Sequence, residues 1–307
     1  MTARRWIAMT ALTIALVVAA AFAFSYTVDP YGVFRAPKGR NLSIYYSERR
    51  AKFLMGRRYI PENFDGLILG PSSSSNWDPS IILGYRLYNE SLQGGNITEE
   101  KILLEQVLRT GQEKLAICII YPTMTDNHDV GDGLDTVNIF EAIGSIHALI
   151  NGMGDILKSM HVTFAKDDTK SNGAAIMHEA NRYGIGRFPA SYFMIDPVAV
   201  KDYQATLQAL HDHGVQVLYI VPPLYEPCLA PNRDQYDAYL HHMQALLPAG
   251  PLLNFDTPEF ESFRNNPQNF GDCYHLRATG ASRMGELLAN LVPQAVTAYY
   301  SPHPELH

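Results

Sequence analysis

The chain has 307 residues, 47% of them hydrophobic and 18% charged, with a formal net charge of −7. These values fit a folded globular protein and argue against nucleic-acid binding, since no basic run offers phosphate backbones a surface. Only three cysteines are present, with no Cys-x-x-Cys pair and no His/Cys cluster, so neither a disulfide-built scaffold nor a zinc site is expected.

Arg4 and Arg5 precede an uncharged run from Trp6 to Tyr26. Roughly 20 apolar residues are what a helix needs to cross a hydrocarbon core of about 30 Å, and positive charge ahead of the run retains that end in the cytoplasm. Residues 1–27 are therefore read as one N-terminal transmembrane anchor in the inner (cytoplasmic) membrane, with the remainder in the periplasm or outside the cell. Ala21-Phe22-Ala23 also has the small-x-small form of a cleavage site, which leaves a signal peptide open as the alternative. Both readings export the domain. Residues 28–63, opening on Val28-Asp29-Pro30-Tyr31-Gly32, read as a linker and lead-in of basic, polar sequence.

From residue 64 to 300 the pattern is β-α. Leu67-Ile68-Leu69 is a short apolar strand ending at Gly70, and Arg86 to Asn89 a second one ahead of Gly94-Gly95. Glu99 to Arg109 has helical spacing, with Thr98 as its expected cap. Leu115 to Tyr121 is a continuous apolar run, the mark of a strand buried on both faces. Val200 to His211 is helical and stops at Gly214. Val215 to Val221 is the next buried strand, Gln235 to Leu247 a helix, Leu252 to Asp256 the last strand and Thr279 to Leu291 the last helix. Alternation of this kind implies a three-layer α/β/α domain with a five-stranded parallel sheet. Residues 127–196 break the pattern, with helical stretches at Ile139 to Leu149 and Ala174 to Arg182. They read as an insertion at the C-terminal edge of the sheet, where ligands bind in such folds. Gly184-Ile185-Gly186 is too short for a nucleotide-binding loop. Cys118 reads as a small core hydrophobe, and the loop positions of Cys228 and Cys273 permit a disulfide between them.

Three segments carry candidate chemistry. In Gly70-Pro71-Ser72-Ser73-Ser74-Ser75-Asn76 a serine sits on the turn after the first strand. There its hydroxyl can face a cleft and its N–H a developing oxyanion. Asp272-Cys273-Tyr274-His275 precedes the last helix, at a spacing that lets one turn bring the carboxylate against the imidazole and orient it. Gly94-Gly95 follows the second strand and offers a close-approaching N–H. In a parallel sheet all three loops emerge on one edge, so some 200 residues of separation do not keep them apart.

Leu67-Ile68-Leu69-Gly70-Pro71-Ser72 resembles the first block of the SGNH/GDSL-like hydrolases, Gly94 fits their second and Asp272-x-x-His275 their last. The resemblance spans about residues 64–292. It implies a flavodoxin-like sheet, Ser72 as nucleophile, His275 as general base, Asp272 as its orienter, an oxyanion hole of Ser72, Gly94 and Asn127, and no cofactor. The third block departs: Tyr121-Pro122-Thr123-Met124-Thr125-Asp126-Asn127 stands where Gly-x-Asn-Asp is expected, so Asn127 or Thr123 is the candidate third donor. The anchor, the Asp-Pro-Tyr-Gly stretch at Asp29 and the Tyr88-Asn89…Gly94-Gly95-Asn96 pattern look like exported members of surface-polysaccharide operons. That likeness implies an acyl donor, a carbohydrate acceptor and a multi-span membrane acyltransferase as partner. Arg277 is the candidate contact to an anionic polymer. The expected activity is acyl transfer or ester hydrolysis. Two rivals stand beside it: a catalytically weak polysaccharide-binding or assembly factor on the same fold, and a secreted lipase or esterase that works without anchor or partner.

Overall fold

The computed structural model describes residues 2–35, 38–162, 169–176 and 186–301. Helix α1 (Ala3–Val28) is long and apolar enough to cross a membrane by length and composition. It stops at Asp29, whose backbone turns left-handed while its carboxylate accepts the N–H groups of Val33, Phe34 and Arg35. The residues expected as a linker carry two helices, α2 (Glu48–Met55) and α3 (Tyr59–Asn63). Tyr31, Leu42, Ile44, Leu54 and Tyr59 from this stretch are buried in the main core. Apolar residues spaced among its charges fold it onto the domain instead of leaving it extended.

The sheet is built from β1 (Gly66–Leu69), β2 (Leu87–Asn89), β3 (Leu115–Ile119), β4 (Gln216–Val221) and β5 (Leu252–Asn254). Every pairing is parallel and the order is β2-β1-β3-β4-β5, the flavodoxin-like arrangement expected from the sequence. Between β1 and β2 lies the one-turn helix α4 (Ser72–Ser75), and α5 (Ile97–Leu108) follows β2. The insertion brings α6 (Glu141–Gly144) and α7 (Ile146–Ser159), and α8 (Pro197–Asp212) leads into β4. The short α9 (Glu226–Leu229), α10 (Arg233–Leu246), α11 (Glu261–Arg264) and the long α12 (Ala278–Tyr300) complete the flanking layers. All of β1 and β3 is buried, as their unbroken apolar runs require.

Several boundaries differ from the sequence reading for local reasons. Helix α5 begins at Ile97 because Asn96, not Thr98, caps it by accepting the Glu99 N–H at 3.1 Å. Thr98 instead donates to Asp202 on α8. Helix α12 runs nine residues past Leu291 and through Pro293. Proline removes one intrahelical bond, and the buried Val292 and Val296 on either side hold the helix across that gap. In the insertion, Ser145 breaks the expected helix in two and caps α7 through its hydroxyl. The two ends of the insertion are fastened together: the Asp196 N–H reaches the Thr125 carbonyl at 2.7 Å, and its carboxylate meets His128 Nδ1 at 2.6 Å. Of the helix expected from Ala174 to Arg182, the described part is an antiparallel bridge between Ala175 and Thr169. Residues 177–182, with Gly184 and Ile185, lie outside the described residues.

Candidate active site

Strand β1 delivers the serine run to the C-terminal edge of the sheet. Gly70 ends the strand where a Cβ would lie 2.4 Å from Ser74 Oγ and 2.6 Å from Ile119 Cγ1. Only a bare backbone lets α4 fold this tightly over β3. Within α4 three of the four hydroxyls have partners, each a different one, and Ser73 Oγ is buried without one. Ser74 Oγ donates to the Pro71 carbonyl at 2.9 Å and meets Ser91 Oγ at 2.9 Å. Ser75 Oγ donates to the Ser72 carbonyl, and Ser73 is buried. Ser72 is half-buried at the first position of α4, and its Oγ lies 2.9 Å from His275 Nε2. Its N–H belongs to the first helical turn, where backbone donors have no intrahelical acceptor.

His275 comes from the loop ahead of α12. Its Nδ1 lies 2.6 Å from Asp272 Oδ2, while Asp272 Oδ1 accepts the backbone N–H groups of Tyr274 and His275 at 2.9 and 2.7 Å. One carboxylate thus folds the turn and orients the ring it serves. Burial raises the Asp272 carboxyl, but the His275 hydrogen bond, the His275 charge and the two backbone donors outweigh it and hold it below its ordinary value. An ionised acceptor at Oδ2 places the imidazole proton on Nδ1 and leaves the Nε2 lone pair facing Ser72. The loop is closed by the bridge between Phe270 and Leu276 and by a disulfide from Cys273 to Cys228 in α9. This is the pairing the loop positions permitted.

The other expected site residues are held by partners of their own. Gly94 has a left-handed backbone, and its carbonyl accepts Arg49 Nη2 at 3.0 Å. Asn127 Oδ1 accepts from Asn96 Nδ2 at 2.6 Å and from the Asp129 N–H, while its Nδ2 donates to Asp126. Hence the loops after β2 and β3 are tied to each other through Asn96 and Asn127. Arg277 is the N-cap residue of α12 with an exposed side chain; its N–H donates to the Asn269 carbonyl.

The structure adds two features to the site. Asn89, fully buried at the end of β2, donates from Nδ2 towards the carbonyls of Ser74, Ser75 and Trp77, and so locks α4 from below. A single asparagine ending a strand carries no signal of this. The second is an aromatic wall. The Tyr274 ring lies 4.2 Å from that of His275 and 5.9 Å from those of Tyr121 and Tyr192, with Phe188 packed behind. Tyr121 and Tyr192 share a 2.5 Å hydroxyl contact, and burial pushes both phenols above their ordinary value. Phe188 and Tyr192 belong to the insertion, so its position beside the site was legible but its contacts were not. A cavity of about 500 Å³ lined by Asn76, Asp78, Lys170, Ala278 and Ser282 adjoins the seam where Asn76 donates to the Leu276 carbonyl.

No family model matches this chain, and no curated protein does. Among solved structures, one named for a platelet activating factor from Streptococcus pneumonia aligns with 93% of this chain and 99% of its own, at 11% identity and a TM-score of 0.37. A lipase/acylhydrolase from Enterococcus faecalis aligns with 78% of this chain and 98% of its own, at 13% identity and a TM-score of 0.37.

Proposed function

We propose that the protein is a serine-dependent acyl-transferring enzyme of the SGNH/GDSL-like type, in which Ser72 attacks, His275 carries the proton and Asp272 orients it. The observation that carries this reading is the unbroken line of contacts from Asp272 through His275 to Ser72, 2.6 and 2.9 Å long. In the first half-reaction Nε2 takes the hydroxyl proton as Oγ bonds to an ester or thioester carbonyl carbon. Collapse of the tetrahedral species breaks the bond to the alcohol or thiol, which leaves with the proton from His275. In the second, His275 deprotonates water or a sugar hydroxyl, which attacks the acyl-serine and frees Ser72. The Ser72 N–H, with Gly94 and Asn127 as further donors, is proposed to hold the oxyanion; each such donor is typically worth about a hundredfold or more in rate.

The substrate proposed is an acyl group on, or bound for, a cell-surface or extracellular polysaccharide. The insertion, whose Phe188 and Tyr192 pack against Tyr274 beside His275, would select the acceptor. Helix α1 is proposed to anchor the domain in the inner membrane, beside a multi-span acyltransferase that supplies the acyl group. The rival binding or assembly role draws on one observation: the Asn127 side-chain amide already donates to Asp126.

The test is covalent labelling of the full-length protein in detergent with a fluorophosphonate probe, the modified residue being mapped by mass spectrometry. A label on Ser72 that is lost in both Ser72→Ala and His275→Ala is the expected result. A folded wild-type protein that takes no label, alone or with its membrane fraction restored, would leave the binding role standing instead.

A further inference from the structure

Helix α7 is amphipathic in the inverted sense. Its buried residues are small or polar, Ala148, Asn151, Gly152 and Gly154. Asn151 bonds to Tyr31 and to the backbone of Tyr45 and Tyr46, so that face is fixed to the domain. Ile146, Ile150, Met153, Leu157 and Met160 recur at intervals of four, three, four and three, one stripe of a helix. Ile146 is 62% and Met153 41% exposed, Ile150 and Leu157 are half-buried between them, and Met160, the C-cap residue, is 63% exposed. Just before it, Phe140 is 70% exposed at the start of α6. An apolar stripe turned away from the core is a surface waiting for an apolar medium.

The neighbouring helix identifies that medium. The insertion packs directly on the C-terminal turns of α1. A Cβ on Gly144 would lie 3.0 Å from the Phe22 ring, and one on Gly152 3.1 Å from Phe24 and 3.4 Å from Val28. From Trp6 to Ala20 every residue of α1 is exposed, and contact with the domain begins at Ala21. Those fifteen residues rise only about 22 Å, against a hydrocarbon core of about 30 Å. The uncharged run reaches the needed length only if it continues to Tyr26, alongside α6 and α7. The outer part of the span and the two helices packed on it therefore share one depth, about 8 Å inside the apolar layer by this difference. Interfacial helices lie about 5–10 Å deep in the same boundary.

We propose that α6 and α7 form a membrane-embedded foot, with Phe140 and the outward stripe of α7 inserted into the outer headgroup and acyl boundary beside α1. This rests on the reading of α1 as an anchor. The foot is tilted: Gly144 meets Phe22, whereas Gly152 meets Phe24 and Val28, further along α1. Phe140 and Ile146 lie deepest and Met160 shallowest. The foot leaves the domain one fixed posture over the bilayer, where a single helix alone would let it swivel.

The experiment uses the full chain in protein-free phosphatidylcholine nanodiscs. Phe140→Cys, Ile146→Cys, Met160→Cys, Val17→Cys on α1 and Asp212→Cys on α8 each carry a nitrobenzoxadiazole label. Cys118 is buried and the other two cysteines are joined, so the added thiol takes the label. Lipids bearing a nitroxide high or low on the acyl chain act as quenchers. The expected result is deep quenching at Val17, shallow-lipid quenching at Phe140 and Ile146 several-fold above that at Asp212, and a smaller effect at Met160. Deep quenching at Val17 with none at Phe140 and Ile146 overturns the foot and leaves the anchor intact. No quenching at Val17 overturns both. Labels at Phe140 and Ile146 that stay wet in pure lipid, yet are shielded in native membranes, overturn lipid as the occupant in favour of a protein.

Discussion

At the scale of single residues, Ser72 is set apart from three identical neighbours by its partner and by being half-buried where they are buried. Ser74 and Ser75 turn their hydroxyls to backbone carbonyls, while Ser72 meets the imidazole. The sequence could place a nucleophile in this run, through the offset from Gly70, but the differing hydrogen bonds arise only once α4 is folded. Asp272 has two tasks, one on each oxygen, and they can be separated. Asp272→Asn keeps an acceptor for the backbone N–H groups but no longer fixes the Nδ1–H tautomer. Its turnover of an aryl acetate is expected to fall by about 10⁴-fold, while its unfolding transition stays close to wild type. A collapse of the fold in this variant would mean that the carboxylate is needed chiefly for the turn. Gly94→Ala and Asn127→Ala test the proposed oxyanion donors. An N–H donor at residue 94 survives the first, so its effect reports the left-handed backbone, whereas the second removes its donor and is expected to cost about a hundredfold in kcat.

At the scale of elements, the strands and the loops following them were readable because buried parallel strands are unbroken apolar runs and their loops share an edge. The ends of α5 and α12 were not. Asn96 outcompeted Thr98 as a cap, and buried valines carried α12 through a proline. Both outcomes depend on packing partners far along the chain. The Asp272–His275 loop shows how an element can be held from outside itself. Cys273 sits inside it, and its bond to Cys228 closes a loop with a sequence separation of 45. Chain entropy gives such a closure about 4 kcal/mol at most. Cys228→Ser with Cys273→Ser is therefore expected to lower the free energy of unfolding by about 2–4 kcal/mol in urea titrations. It should also slow fluorophosphonate labelling of Ser72, because the histidine loop loses its tether to α9. Unchanged labelling would assign the bond to stability alone.

For the molecule as a whole, the interior contains acid groups that make stability depend on pH. Glu90 is fully buried behind the site, and burial, against the pull of Lys52 and with a smaller push from Glu48, raises its carboxyl to about 8. An unfolded chain releases that proton near about 4.3. Between these values the native state holds more protons than the unfolded one, so this group's contribution falls as pH rises through the window. Glu90→Gln should therefore have a higher free energy of unfolding than wild type at pH 8, by on the order of a few kcal/mol, and one close to it at pH 4. An equal shift at both values would point to packing. None of this was legible beforehand, since an acidic residue after a strand reads as surface until the fold closes over it. The same holds for residues 28–63, which read as a linker yet fill part of the core.

The sequence separation of 203 between Ser72 and His275 also has a consequence in time. Ribosomes add roughly 5–20 residues per second, so Ser72 leaves the tunnel tens of seconds before His275. Through that interval β1 and α4 are exposed as nascent chain while Ser72 has no imidazole to take its proton. Only when the final loop and α12 arrive does the hydroxyl gain the imidazole that the proposed mechanism requires. On the proposed mechanism, a polypeptide truncated anywhere before residue 272 lacks both partners of Ser72 and is expected to show no fluorophosphonate labelling.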